Sequence, residues 1–179
     1  QGRKPGLKLK ILDWLTHFLV RKSVVVGYRS DYLRKLYPKG HPEREVIFSG
    51  AQLSQKFITR PKTREEISTR PFRIVSIGRI NPEKGHRVLL EAFGKASSST
   101  DAPMELKIIG DGSSLEELKA YSKELGLEDR VKFPGRIAWG EELFSQMDDS
   151  HLFVLPSLTE GMPRSLIEAM ARGMPALGS

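Results

Sequence analysis

The sequence predicts an α/β fold: a parallel β-sheet with helices on both faces, filling residues 72–179 and preceded by a partial, more basic N-terminal segment. Three observations predict it. Short apolar runs at 73–77, 106–109, 131–133, 152–155 and 174–177 alternate with helix-length segments near 84–97, 114–125, 140–147 and 163–172, the rhythm of buried strands joined by crossover helices. Glycines and charges follow four of the runs, at Gly78-Arg79, Gly110-Asp111-Gly112, Gly135-Arg136 and Glu160-Gly161. In a parallel sheet those four turns gather on one rim, the rim where ligands bind. Finally, Pro163 opens a helix directly after the run His151-Leu152-Phe153-Val154-Leu155-Pro156, a strand–turn–helix junction with proline where its missing N–H costs nothing.

The elements follow in order. Leu7 to Leu19 carries apolar residues at 7, 11, 14, 15 and 18, which is helical spacing with a polar back. Such a stripe either packs against a sheet or lies on a membrane surface. Ser23 to Tyr28 reads as a strand, a helix follows near 30–37, and Glu45 to Ala51 reads as a further short strand and turn. Residues 54–71, with Pro61, Pro71 and many charges, read as a linker. The division is thus 1–71, the remnant of an N-terminal domain plus its linker, and 72–179, the α/β domain. Ser97 to Pro103 is a helix-to-strand loop, and no internal repeat is present.

The helix opened by Pro163 presents free backbone N–H groups and the positive end of its dipole, a setting for an anion such as phosphate. Glu160 flanks the turn, and Glu168 lies on the order of 8 Å further along the helix axis at 1.5 Å per residue. Carboxylates suit hydroxyl groups rather than phosphate, so phosphate and hydroxyls together suggest a nucleotide sugar. Arg79 and Lys84 flank the Gly78 turn as a forked donor and a point charge, able to neutralise a diphosphate. The N–H groups of Arg164, Ser165 and Leu166 complete a phosphate cradle, although Ser165 also reads as a plain helix cap.

The run Glu160-Gly161-Met162-Pro163-Arg164-Ser165-Leu166-Ile167-Glu168 resembles the group 1 (family 4) glycosyltransferases, retaining enzymes of the two-domain GT-B fold. Phe72 to Gly85 is similar to the strand, Gly-Arg turn and Lys-Gly helix start that open the family's donor domain. Leu106 to Gly112 and Val131 to Ile137 match its second and third strands. The resemblance covers 72–179 and implies a Rossmann-like donor domain, the C-terminal half of a GT-B fold. It implies catalytic roles for Glu160, Arg79 and Lys84, and donor binding by Gly78, Arg79, Lys84, Arg136, Ile137, Gly161, Met162, Arg164, Ser165, Leu166 and Glu168. In that scheme Arg79 and Lys84 hold the diphosphate, Glu168 accepts the ribose hydroxyls, and Glu160 orients the transferred sugar. Arg136 and Ile137 edge the base. The family carries Asn-Gly where this chain has Ser49-Gly50, which leaves any contact of that loop in question.

What the resemblance implies is transfer of a glycosyl group, with retention, from a UDP-, GDP- or ADP-sugar to a carbohydrate or lipid-linked acceptor, with no cofactor. Polysaccharide, lipopolysaccharide and glycolipid synthesis all stay open. The alternatives are a nucleotide-sugar epimerase of the same architecture and a non-catalytic nucleotide-binding module. The chain begins at Gln1 and stops just after a predicted strand, so it is expected to be a piece of a longer enzyme, inactive by itself. No metal is expected: there is no Asp-x-Asp at a strand end, Asp148-Asp149 read as a helix terminus, and His17, His41, His86 and His151 are not spaced as ligands. His86 reads as a surface helix residue and His151 as the start of a strand.

The net charge of +7 is uneven. Residues 1–71 carry 16 Lys+Arg against 6 Asp+Glu, and residues 72–179 carry 13 against 16. A basic half suits an anionic acceptor or peripheral contact with the inner face of a membrane, or is simply solvated. It lacks the aromatic platforms and motifs of a nucleic-acid binder. The absence of cysteine excludes disulfides and fits a cytoplasmic location. Asp13 and His17 interrupt the apolar run at 8–20, so it is not read as a signal peptide.

Overall fold

The computed structural model describes residues 7–28, 31–39, 41–47 and 53–178. The chain forms two compact units, Gln1–Gln52 and Leu53–Ser179, each described here by itself. In the first, α1 (Leu7–Lys22) runs through a stretch free of glycine and proline, with Arg21 and Lys22 in its last turn where the helix dipole favours cations. Strands β1 (Val26–Tyr28) and β2 (Glu45–Ile47) pair in parallel, with α2 (Asp31–Leu36) between them. Buried Tyr28 donates to the Tyr37 carbonyl at 2.6 Å, and the Lys39 ammonium caps the Val20 and Ser23 carbonyls at the end of α1. The predicted helix, strand, helix and strand are all present. The Ser49-Gly50 turn lies outside the described residues. The apolar stripe of α1 is largely exposed, including Ile11, Trp14 and Phe18. No described helix is long and apolar enough to cross a membrane.

The second unit begins earlier than the expected division at 71/72, and the stretch expected as a linker is folded. Thr63 caps the short helix α3 (Arg64–Ile67) through a reciprocal pair of bonds with Glu66. Thr59 and Lys62 donate backbone N–H groups to the Ala171 and Gly173 carbonyls, and Phe57 packs on Phe144 with ring centroids 4.7 Å apart. These anchors fasten residues 57–62 onto the sheet domain.

Five parallel strands follow: β3 (Phe72–Ile77), β4 (Met104–Ile109), β5 (Val131–Gly135), β6 (Leu152–Leu155) and β7 (Ala176–Gly178). Their spatial order is β5-β4-β3-β6-β7. Helices α4 (His86–Ser98), α5 (Leu115–Glu124), α6 (Glu141–Asp148) and α7 (Arg164–Ala171) connect them. The strand period of two divides the core into two layers. Ile74, Leu106, Ile108, Val131 and Val154 meet Leu89, Leu90 and Phe93 of α4 and Leu118 of α5 on one face. Val75, Ile109, Phe153 and Leu155 meet Leu143, Phe144 and Met147 of α6 and Ala169 of α7 on the other. This is the predicted Rossmann-like sheet. Because the chain builds outward from β3 to β5 and then returns to β6, β3 and β6 are neighbours whose exits diverge to opposite faces. A crevice opens between those exits.

Candidate functional site

That crevice is a cleft of about 380 Å³ lined by the ends of β3 and β6, the start of α4 and the start of α7. Backbone contacts bring its two sides together. The Leu158 N–H donates to the Glu83 carbonyl at 3.0 Å. Gly85 adopts φ +66°, and a β-carbon there would lie 1.9 Å from the Pro156 carbonyl oxygen, so only glycine lets α4 start so close to β6. The neighbouring exits of β3 and β4 are also tied: Gly78 N–H donates to Ile109 O and Ile80 N–H to Asp111 O. Gly110, at φ +151°, would drive a β-carbon to 1.8 Å from the Gly78 carbonyl oxygen.

On this frame Gly78, Arg79, Lys84, Glu160, Met162, Arg164, Ser165 and Glu168 line a single cleft. Arg79 is exposed, and its positive charge contributes to the lowered pKa of Glu83. Lys84 ends a 3-10 turn, Pro82–Lys84, ahead of α4. Its ammonium would oppose the helix dipole alone, and its compensating anion is Glu160, with Nζ to Oε1 at 2.7 Å. The Ser157 hydroxyl donates to the same oxygen at 2.7 Å. Partial burial works against the charge of Glu160, but Lys84 and Ser157 outweigh it and hold its carboxyl below the usual range.

Glu168 is 5% exposed. Burial raises its pKa, countered by a hydrogen bond from the Trp139 indole N–H at 3.0 Å and by the Arg164 guanidinium at 3.7 Å. Pro163 occupies the N-cap of α7 and Ser165 sits inside the first turn, so Ser165 is not the cap. The first backbone bond of the helix runs from Ile167 N–H to Pro163 O, which leaves the N–H groups of Arg164, Ser165 and Leu166 directed ahead of the helix.

Other residues fall differently. Arg136 and Ile137 line an adjoining recess with Gly110 to Gly112, and the two hollows share Ile77, Gly78 and Arg79. The Leu166 side chain packs into the core rather than the cleft, leaving only its N–H at the helix tip. Gly161 is exposed in the turn and lines neither hollow. His86, expected on a helix surface, is instead 4% exposed and lines the cleft, because Gly85 tucks the first turn of α4 under β6. Burial, then the Lys84 charge, lowers its pKa to about 4. Its Nδ1 and the Ser76 hydroxyl, both on the cleft wall, are enclosed and have no partner among the described residues.

Comparison with known proteins decides the kinship. The family described as "Glycosyl transferases group 1" matches residues 57–179. The chain belongs to the group 1 glycosyltransferases. Among curated relatives of this glycosyltransferase chain, the lipopolysaccharide 1,6-galactosyltransferase of Escherichia coli K12 is 31% identical, the alignment covering 99% of this chain and 51% of that protein. Its Salmonella typhimurium counterpart is 34% identical with the same coverage. Among solved structures, the lipopolysaccharide outer core galactosyltransferase WaaB in its apo form is 28% identical with a TM-score of 0.61, over 87% of this chain and 43% of that one. Anabaena HepE in complex with UDP-glucose superposes with a TM-score of 0.73 at 21% identity, over 94% of this chain and 48% of that one. The fold is therefore the C-terminal half of the GT-B architecture with a partial N-terminal segment. The chain spans about half the length of the curated relatives it matches.

Proposed function

We propose that this chain carries the donor-binding half of a glycosyltransferase that moves a glycosyl group, with retention, from a nucleoside diphosphate sugar to a carbohydrate or lipid-linked acceptor in polysaccharide or lipopolysaccharide synthesis. One observation carries the reading. An exposed cation (Arg79), a cation shared with a carboxylate (Lys84 with Glu160) and a buried carboxylate (Glu168) face one cleft beneath an open helix tip.

In this reading the bond between the anomeric carbon and the diphosphate oxygen breaks while the oxygen of an acceptor hydroxyl bonds to the same carbon and its proton passes to the departing diphosphate. Negative charge gathers on the leaving diphosphate. Arg79, Lys84 and the N–H groups at the start of α7 meet that charge as fixed donors. Glu160 turns to the hydroxyls of the transferred sugar and Glu168 to those of the ribose. Arg136 and Ile137 border the base in the adjoining recess. The UDP-glucose complex of the structurally similar HepE favours a UDP-sugar.

Calorimetric titration with UDP, GDP and ADP tests the reading. Micromolar to sub-millimolar binding of one of them, weakened by Arg79→Ala, supports it and names the base. No binding to the chain or to the longer protein that contains it would overturn it. Anomeric proton NMR of the product of that longer protein tests retention.

A further inference from the structure

Resting on the donor-site reading above, we propose that Trp139 is a positioning residue: its indole N–H pins one oxygen of Glu168 so that the other faces the ribose hydroxyls of the donor. A carboxylate has two oxygens and about four acceptor sites. Both partners of Glu168 converge on Oε1, the Trp139 N–H at 3.0 Å and the Arg164 guanidinium at 3.7 Å. Oε2 accepts nothing from the described residues, yet it is not among their fully enclosed unpartnered atoms. It is therefore not fully enclosed, and Glu168 lines the cleft. The adjacent hydroxyls of a ribose are hydrogen-bond donors that a fixed carboxylate oxygen can receive.

Trp139 is itself held in place. It meets Phe57 and Phe144 edge-on, with centroids 5.4 and 5.6 Å away and interplanar angles of 76° to each. Phe57 and Phe144 pack on each other at 4.7 Å. Contacts with two rings restrict rotation of the indole, so its N–H holds a defined direction. Trp139 stays 46% exposed and lines the cleft, an unusual cost for a residue that only fills space. Its placement also ties the ribose-facing carboxylate to Phe57, in the stretch that enters the domain.

The experiment compares the full chain with W139F, E168Q and the double variant, each titrated calorimetrically with UDP, GDP and ADP and with their 2′,3′-dideoxy analogues. W139F keeps an aromatic ring but loses the N–H together with part of the indole's bulk, and the dideoxy analogue separates the two, since lost packing weakens both ligands alike. The expected result is about tenfold weaker binding of the ribonucleotide, the scale of one hydrogen bond to a charged group, with the dideoxy analogue unaffected. The double variant is expected to bind no more weakly than E168Q, as for two residues acting through one contact. An unchanged ribose preference in W139F, an equal loss for both ligands, or losses that add would overturn the proposal. A second measurement needs no substitution at 139. The indole N–H resonance of Trp139, told apart from that of Trp14 in a W14F protein, is expected to shift with the ribonucleotide and stay still with the dideoxy analogue. Equal shifts, or none, would overturn it. If no nucleotide binds the unaltered chain or the longer protein that contains it, the donor-site reading falls and this proposal with it. Binding with unaltered discrimination overturns this proposal alone.

Discussion

Lys84 and Glu160, 76 residues apart in sequence, meet in a 2.7 Å hydrogen bond between Nζ and Oε1. The cation assigned to phosphate and the carboxylate assigned to sugar thus form one unit, assembled by the packing of Gly85 against Pro156.

Separating that unit has opposite consequences for its two halves. Lys84→Ala is expected to weaken nucleoside diphosphate binding by roughly tenfold to a hundredfold, the scale of a charge-assisted hydrogen bond. Glu160→Gln is expected to preserve or tighten it, since Lys84 is released to the phosphate, while abolishing transfer by the longer enzyme. Calorimetry on both variants checks the contrast. The lowered pKa of Glu160 adds a stability term that is present at neutral pH, above its unfolded value near 4.5, and lost as pH falls through the folded value. Lys84→Ala removes most of that term.

Glu168 behaves in the reverse sense. Burial raises its pKa, so the folded state binds the proton more tightly than the unfolded chain does. That favours folding at low pH, and the benefit fades as pH rises from the unfolded value up through the folded one. At neutral pH the buried charge is a liability. Glu168→Gln, which keeps the acceptor for Trp139, is expected to raise the melting temperature by about 2–4 °C, the size of 1 kcal/mol in a chain of this length. It is also expected to weaken ribonucleotide binding. Thermal melts and titrations on one preparation test both halves.

His86 contributes a further acid sensitivity. Its folded pKa of about 4 lies below the ordinary 6.5, so the unfolded state binds the proton more readily. Stability is then full above pH 6.5 and declines as pH drops towards 4, by up to about 3 kcal/mol. His86→Leu is expected to flatten that decline, read as the denaturant midpoint between pH 4 and 7. A residual slope is expected from His151, whose pKa burial and the nearby Lys62, Arg73 and Arg70 also lower.

Gly85 tests the frame itself. Gly85→Ala places a β-carbon 1.9 Å from the Pro156 carbonyl oxygen at a φ of +66°. The expected cost is about 1–3 kcal/mol of stability for the backbone strain, with a drop in nucleotide affinity as Lys84 moves away from Glu160. Melting curves and calorimetry measure the two effects separately.

Much of this was legible in the sequence. The alternation of apolar runs with helical segments located all five strands of the sheet within a few residues: the three central strands are largely buried and leave a near-continuous apolar signal, while the more exposed edge strands β5 and β7 still carry short apolar runs. The convergence of Arg79, Lys84, Glu160 and Glu168 on one cleft was legible as well, because residues at strand exits and in the first turns of the following helices inherit their position from the fold. Trp139 was not: its role depends on Glu168, 29 residues away, and a loop has no periodicity to announce its contacts. His86 was misplaced because helical position alone does not reveal that Gly85 draws the helix start inward. Residues 54–71 read as a linker from their prolines and charges, yet Thr63-Arg64-Glu65-Glu66 carries the Thr-x-x-Glu signature of a helix start, and Phe57 is an apolar anchor among polar neighbours.

The tie between the exits of β3 and β4 reaches beyond architecture. Gly78 and Ile80 donate to Ile109 and Asp111, and Ser114 N–H donates back to Ile80 O, so Arg79 stands on a two-ply ribbon instead of a free loop. In the proposed donor site an incoming anion meets a guanidinium whose remaining freedom is confined to its own torsions. Most of the ordering is completed when the chain folds, and the lifetime of a captured ligand is then set by how many contacts must rupture together.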